Sequence, residues 1–225
     1  MARDPGWLQP SMKRMLGPIF RRMWKIEITG AEHIPATGPA LIAPNHIAFI
    51  DSIFMATLIE REVLGVGKAE YMDSWKTRHI LPGVGMLPID RSGGAASEDA
   101  LAQAQASLDA GKLFVVFPEG TRSRDGYLHR GHTGVARLGL ETGSPIVPAG
   151  IRGTDSIQPV DKVIPKLGVR AEIRFGTPIT IDQYRNSRVE RRQLLRQITD
   201  QVMRRISELS GQTYVDSYQD QGPAG

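Results

Sequence analysis

Short apolar runs recur along the chain, separated by segments of helical length, and this alternation limits the fold more than any other feature. "KIEIT" (25–29), "ALIAP" (40–44), "VLGVG" (63–67), "MLPID" (86–90), "LFVVFP" (113–118), "IVPAGI" (146–151) and "VRAEIRF" (169–175) read as strands. Several are apolar throughout, as strands covered on both faces must be. The segments between them carry helix signals. Residues 51–61 open on Asp51 and Ser52, both good capping types. Residues 97–111 place Ser97 as N-cap, acids in the first turn and Gly111 as a stop. Residues 133–142 end at Gly143, and a last helix over about 183–209 aligns Leu195, Ile198, Val202, Ile206 and Leu209 on one stripe. Strands alternating with helices imply an α/β fold: a single domain, residues 25–210, with a largely parallel central sheet flanked by helices. A chain of 225 residues can bury such a core without staples, and it has no cysteine to make any. The polar tail, 211–225, is expected to be flexible.

The first 24 residues differ in character. Leu8, Met12, Met15, Leu16, Ile19, Phe20 and Met23 fall near helical spacing, with Lys13, Arg14, Arg21, Arg22 and Lys25 among them. Pro10 and Pro18 predict two short helical pieces or one kinked helix. Trp7 and Trp24 flank the region. A basic, amphipathic, aromatic-flanked segment suits an interfacial anchor, with its apolar side in the acyl boundary and cations on lipid phosphate. The alternative is a helix packed on its own domain. No uninterrupted apolar run reaches the ~18 residues of a spanning helix, and the start lacks the pattern of a signal peptide. The net charge of +4 favours an anionic partner.

"PNHIAFIDS" (44–52) holds an imidazole and a carboxylate five positions apart. On a regular helix His46 and Asp51 would point about 140° apart, so they meet only if the chain bends. Pro44 closes a strand and Asp51 opens a helix, so His46 should sit on the turn between them, at the strand end where α/β proteins place ligands. A carboxylate on one ring nitrogen fixes the tautomer, frees the other nitrogen as a base and stabilises the imidazolium. No activated nucleophile accompanies the pair, so the nucleophile would be a hydroxyl on the substrate. The competing interpretation is a structural pair in which Asp51 only caps a helix.

"FPEGTRSRDG" (117–126) gathers glycine backbone, a hydroxyl and a guanidinium after another strand, a suitable phosphate cradle. Arg122 can grip phosphate oxygens as a fork, which lysine cannot. Glu119 cannot bind phosphate and is expected to orient Arg122 or a substrate hydroxyl. Arg91, in "PIDRSGG", and Lys68, after "VLGVG", place further cations at strand ends. Asn45 would brace the turn or polarise a carbonyl. His129 and His132 have i,i+3 spacing but no evident third ligand, so no metal site is expected.

The ordered set Asn45-His46-x4-Asp51, Lys68, Ile89-Asp90-Arg91, Phe117-Pro118-Glu119-Gly120-Thr121-Arg122-Ser123 and Val147-Pro148 resembles the PlsC-like glycerolipid acyltransferases, over roughly residues 25 to 180. The HX4D element alone is weak, but joined to FPEGTRS about seventy residues later it is specific. The resemblance implies acyl transfer from acyl-CoA or acyl-carrier protein to the free hydroxyl of lysophosphatidic acid, with no further cofactor. It implies His46 as base and Asp51 as its orienter. It also implies that Asn45, Lys68, Arg91, Glu119, Gly120, Thr121 and Arg122 serve the substrates. The expected location is the cytoplasmic face of the cell membrane, peripheral or monotopic, on an anionic surface. Rival activities are acylation of glycerol-3-phosphate or of a glycolipid, phosphoester hydrolysis, and a non-catalytic peripheral lipid-binding module. Nucleic-acid binding is disfavoured, because only 6% of residues are aromatic and none interleave with cations near the motifs.

Overall fold

The computed structural model describes residues 5–68, 77–89, 95–160, 162, 164–184 and 187–219. Among these, strands β1 (Glu27–Thr29), β2 (Ala40–Pro44), β3 (Val63–Lys68), β4 (Met86–Ile89) and β5 (Leu113–Val115) come first, followed by β6 (Leu128–His129), β7 (Ile146–Arg152), β8 (Glu172–Phe175) and β9 (Tyr214–Val215). The helices are α1 (Gln9–Met23), α2 (Ile50–Leu58), α3 (Thr77–Gly83), α4 (Ala95–Asp109), α5 (Gly134–Thr142), α6 (Thr154–Ile157) and α7 (Arg191–Ser210). A seven-stranded sheet runs β1-β8-β7-β2-β5-β3-β4. From β7 to β4 all neighbours are parallel, while β8 lies antiparallel to β7 and carries β1 parallel to itself.

Each run expected as a strand forms one, and the central strands β2, β5 and β7 are dry on both faces. All of β2 is buried. Its Ala40 and Ile42 join one core with Phe54, Val115 and Trp24; its Leu41 and Ala43 join the other with Phe114, Leu138, Ile198 and Val202. Helices α1 and α2 cover the first face, and α4, α5 and α7 the second. Gly150 permits the closest approach of α7, since a Cβ there would stand 2.4 Å from the backbone at Leu209 and Ser210. The parallel arrangement also fixes where function can lie. β2, β3, β4 and β5 end on the same edge, so the segments following Pro44, Lys68, Ile89 and Val115 all leave from it.

Several local expectations are corrected. Helix α7 begins at Arg191, not near 183, because the Glu190 side chain accepts from Gln193 N–H and caps it there. Asp182–Tyr184 form a separate 3-10 turn. The buried face of α7 is led by Leu194, Ile198, Val202 and Ile206, so Leu195 and Leu209 sit at its margin. The N-cap of α2 is Phe49, and Asp51 lies inside its first turn. Ser97 lies within α4, which starts at Ala95. Helices α3 and α6 gave no sequence signal, being short and, in α3, containing Pro82. The tail expected to be flexible is structured through residue 219: β9 pairs with β6, and Leu128 N–H and Arg130 N–H donate to Thr213 and Ser217 carbonyls.

The N-terminal segment forms one helix, with Pro10 in its first turn and Pro18 inside it. It packs on the domain. Gln9 is fully buried, its amide accepting from Val63 N–H and donating to the Val63 and Val84 carbonyls. Gly17 brings α1 against α2, since its Cβ would meet the Thr57 carbonyl at 3.7 Å. Trp24, expected at an interface, is 5% exposed and packs edge-on to Phe20 with Phe54 nearby. Lys13 turns inward to the Arg61 carbonyl, and burial pulls its ammonium down to about 8, against the attraction of Glu62. The outward face keeps Met15 and Ile19, with Arg14, Arg21 and Arg22. No helix among the described residues is long and apolar enough to cross a membrane.

Because Gln9 answers backbone groups of β3 and of the α3–β4 turn, Gln9→Ala should lower unfolding stability by at least about 1–3 kcal/mol, the cost of orphaning one buried polar group. Chemical denaturation checks this; an unchanged midpoint would show that α1 is not stapled to the sheet there.

Candidate active site

The bend after β2 is held by one carboxylate oxygen. Asp51 Oδ2 accepts from Ile47 N–H at 2.8 Å, from Ala48 N–H at 2.8 Å and from the His46 ring at Nδ1, 3.0 Å away. Asp51 is fully buried and the His46 side chain is 15% exposed. With Asp51 ionised, only a proton on Nδ1 can make that contact, which leaves Nε2 as the free nitrogen. Nε2 has no partner among the described residues. Asp51 Oδ1 is buried with no partner either. Phe117 stacks on the other side of His46, ring centroids 4.0 Å apart, and blocks rotation away from Asp51. The sequence names Phe117 only as part of a motif; its contact with the histidine was not anticipated.

The second motif is tied to the first through Glu119. This residue is 3% exposed, and its carboxylate accepts from His46 N–H at 3.2 Å and His129 N–H at 3.0 Å. Glu119, expected to orient Arg122 or a substrate hydroxyl, instead gives its two oxygens to backbone N–H groups, one on the turn after β2 and one on β6. Burial raises its carboxyl to about 7 against the opposing pull of those bonds. Ser123 N–H donates to the His46 carbonyl at 2.7 Å, a further link between the turns.

Gly120 has φ +71°, a conformation side chains disfavour, and a Cβ there would reach the His132 ring at 3.2 Å. Its N–H is engaged by the Phe117 carbonyl, so it cannot also bind phosphate. Among the described residues, the N–H groups of Thr121 and Arg122 carry no acceptor. Both residues are half-buried on the turn. The Arg122 guanidinium makes no ion pair among the described residues; its nearest partner is the Val160 carbonyl, at the long limit of 3.5 Å.

Asn45 braces the site from below. Fully buried, it accepts from Ile151 N–H at 2.7 Å and donates to the Ile151 carbonyl and to Gln212. Its side chain has no surface for substrate, so the bracing role stands and the substrate-contact role is corrected. Gln212 in turn donates to the Gly126 carbonyl, linking the tail to the second motif. Lys68 closes β3 on this same edge, in register with Ile89 of β4. Arg91 lies outside the described residues. His129 and His132 have separate partners: His129 bonds Asp125 and the Ser217 carbonyl, while His132 stacks on Tyr218.

An apolar cavity of about 250 Å³ opens beside the pair, lined by Phe49, Ser52 and Phe117 at its near end and by Met12, Leu81 and Met86 farther in. A base, an unpaired arginine on a turn and a greasy pocket are thus brought to one sheet edge. Such an arrangement can deprotonate a hydroxyl beside an anionic group and a long apolar chain.

The chain is similar to several known proteins. The chain is 31% identical over 144 residues to the chloroplastic 1-acyl-sn-glycerol-3-phosphate acyltransferase LPAT1 of Arabidopsis thaliana, covering 60% of this chain and 38% of that one. It is 25% identical over 185 residues to the 1-acyl-sn-glycerol-3-phosphate acyltransferase of Borreliella burgdorferi, covering 82% and 73%. The chain thus spans well under half of the chloroplast relative. In fold it is similar to the crystal structure of the 1-acyl-sn-glycerophosphate acyltransferase PlsC from Thermotoga maritima, with a TM-score of 0.67 at 21% identity over 90% of this chain and 79% of that one. The Acyltransferase family model matches residues 25–152, which hold both turns and the strands that carry them, and the chain belongs to that family.

Proposed function

We propose that the protein transfers a fatty acyl group from an acyl thioester, acyl-CoA or acyl-carrier protein, to the free hydroxyl of lysophosphatidic acid, forming phosphatidic acid. The observation that carries this is the His46–Asp51 contact of 3.0 Å, tied through Glu119 to the turn bearing Arg122. The names of the related acyltransferases point to the same acceptor.

In this reading the acceptor phosphate docks on the Thr121–Arg122 turn, with Lys68, which closes β3 on the same edge, as a further cation; Arg91, the other cation expected to serve the phosphate, lies outside the described residues. The acceptor hydroxyl then lies beside His46. Nε2 takes its proton as the oxygen attacks the thioester carbonyl carbon. The C–O bond forms, the tetrahedral intermediate collapses, the C–S bond breaks, and the imidazolium returns the proton to the departing thiolate. Asp51 stabilises that imidazolium without taking its proton. The fatty chain of one substrate lies in the cavity behind Phe117. Holding both substrates together supplies much of the rate. The setting is an anionic membrane surface on the cytoplasmic side.

An acyltransfer assay across lysophosphatidic acid, glycerol-3-phosphate and a glycolipid, with product regiochemistry, tests the proposal. Thiol release only with lysophosphatidic acid supports it; release of inorganic phosphate, or no acceptor-dependent thiol, rejects it. His46→Ala should cut acceptor-dependent thiol release by about 10²–10⁴-fold while the circular dichroism spectrum is retained. Arg122→Lys should raise KM for the phosphorylated acceptor more than for the acyl donor, since lysine cannot form the fork. Equal effects on both would remove the phosphate role.

Glu119 gives a pH signature. Its folded-state carboxyl, at about 7, lies above the ordinary value of 4.5, so the fold binds its proton more tightly than the unfolded chain does. Its contribution to stability is complete below 4.5 and is lost as pH rises through about 7. The stability advantage of wild type over Glu119→Gln should therefore shrink across that window by on the order of 3 kcal/mol. Denaturation curves at several pH values measure it; a pH-independent difference would contradict the assignment.

A further inference from the structure

The strand directions place two segments beside the catalytic turn that no motif marks. β7 runs parallel to β2, so Arg152 stands at the edge where His46 leaves. Glu172, the first residue of β8, pairs with Arg152, and Glu27, the first residue of β1, pairs with Glu172. The chain just before β8 and the end of α1 therefore meet at the His46 edge. They are bonded together there: Trp24 Nε1–H donates to the Lys166 carbonyl at 2.7 Å and Gly168 N–H to the Met23 carbonyl at 3.1 Å.

This junction carries the most exposed large aliphatic side chains among the described residues. Ile164 is 82% exposed and Leu167 69%. Lys162 and Lys166 are exposed beside them, and Arg21, Arg22 and Lys25 are exposed at the end of α1. None of these five cations forms an ion pair among the described residues. The same connection reaches Arg122 through the Val160 carbonyl. Two isolated aliphatic tips are too small for the core of a stable protein interface, which needs about 800 Å² per partner. Exposed aliphatic tips with unpaired cations in their own segment and at the adjoining end of α1 instead match a bilayer with anionic headgroups.

We propose that Ile164 and Leu167 insert into an anionic bilayer, with Lys162, Lys166, Arg21, Arg22 and Lys25 on its headgroups, and so dock the His46 edge on the membrane. The proposal rests on the acceptor being a membrane lysophospholipid. It differs from a simple N-terminal anchor because the apolar contact comes from the connection between β7 and β8. A lysophospholipid could then reach His46 and Arg122 from the bilayer beneath them.

The chain has no cysteine, so Ile164→Cys supplies a single site for an environment-sensitive fluorophore. With vesicles of phosphatidylcholine and phosphatidylglycerol the label should blue-shift, brighten and be quenched by nitroxide lipids; with phosphatidylcholine alone it should do so far less. Ile164→Ser with Leu167→Ser should weaken vesicle affinity by about tenfold or more while the thermal melt is unchanged. An unaltered label spectrum overturns the proposal, whether the protein stays in solution or floats by another face. An equal response to neutral vesicles overturns the cationic half. A spectral change that follows protein concentration without vesicles marks a second copy as the occupant and also overturns it. Wild-type thiol release with detergent-dispersed acceptor is read separately: if it persists while the label stays in water, only the docking proposal fails, and if it is absent while the label inserts, the acyltransferase reading fails.

Discussion

Asp51 Oδ2 does two jobs with one atom. By accepting from Ile47 and Ala48 N–H it bends the chain between β2 and α2, and by accepting from Nδ1 it fixes the ring that the bend presents. Without the bend, residues five apart on a helix could not meet. Without the ring contact, nothing would select which nitrogen is free. A carboxylate hydrogen-bonded to the ring stabilises the imidazolium that forms on proton transfer. The rest of the edge is built around this turn: Phe117 packs one side of the ring, and Glu119 and Ser123 bind the backbone of His46 from the second motif.

The parallel sheet explains why residues far apart in sequence converge. Once β2, β5, β3 and β4 lie side by side in one direction, each of their following segments is delivered to the same edge. Buried polar contacts then set the register of those segments. Asn45 joins the catalytic turn to β7 and to Gln212, and Gln212 joins the tail to the Gly126 turn. A buried polar group is costly unless paired, so such a network holds a single arrangement. The site thus depends on a strand and a tail that contribute no chemistry.

The sheet was legible because its strands are dry on both faces, and dryness is written directly as runs such as "ALIAP" and "IVPAGI". The His46–Asp51 meeting was legible because proline and a helix start bracket it. The duty of Glu119 was not, because a carboxylate in a motif reads alike whether it faces a ligand or buried backbone, and for Asn45 the same ambiguity left bracing and substrate contact both open. The α1 segment was ambiguous for a related reason: an apolar stripe of helical period suits a membrane and a protein core equally. Gln9 at 0% exposure and Trp24 at 5% show that one side of the helix packs on the domain, and their burial is a tertiary fact. The tail's pairing with β6 was hidden because two residues in a strand leave no periodic pattern.

The central claim is that Asp51 presents His46 as a neutral imidazole with its proton on Nδ1 and its Nε2 available as a base. Nitrogen-15 NMR of selectively histidine-labelled protein, above the titration of the ring, reads this directly. The account predicts that His46 shows a protonated Nδ1 and an unprotonated Nε2, and that Asp51→Ala, which removes the acceptor, abolishes this bias. A His46 spectrum dominated by the tautomer with the proton on Nε2 would contradict it.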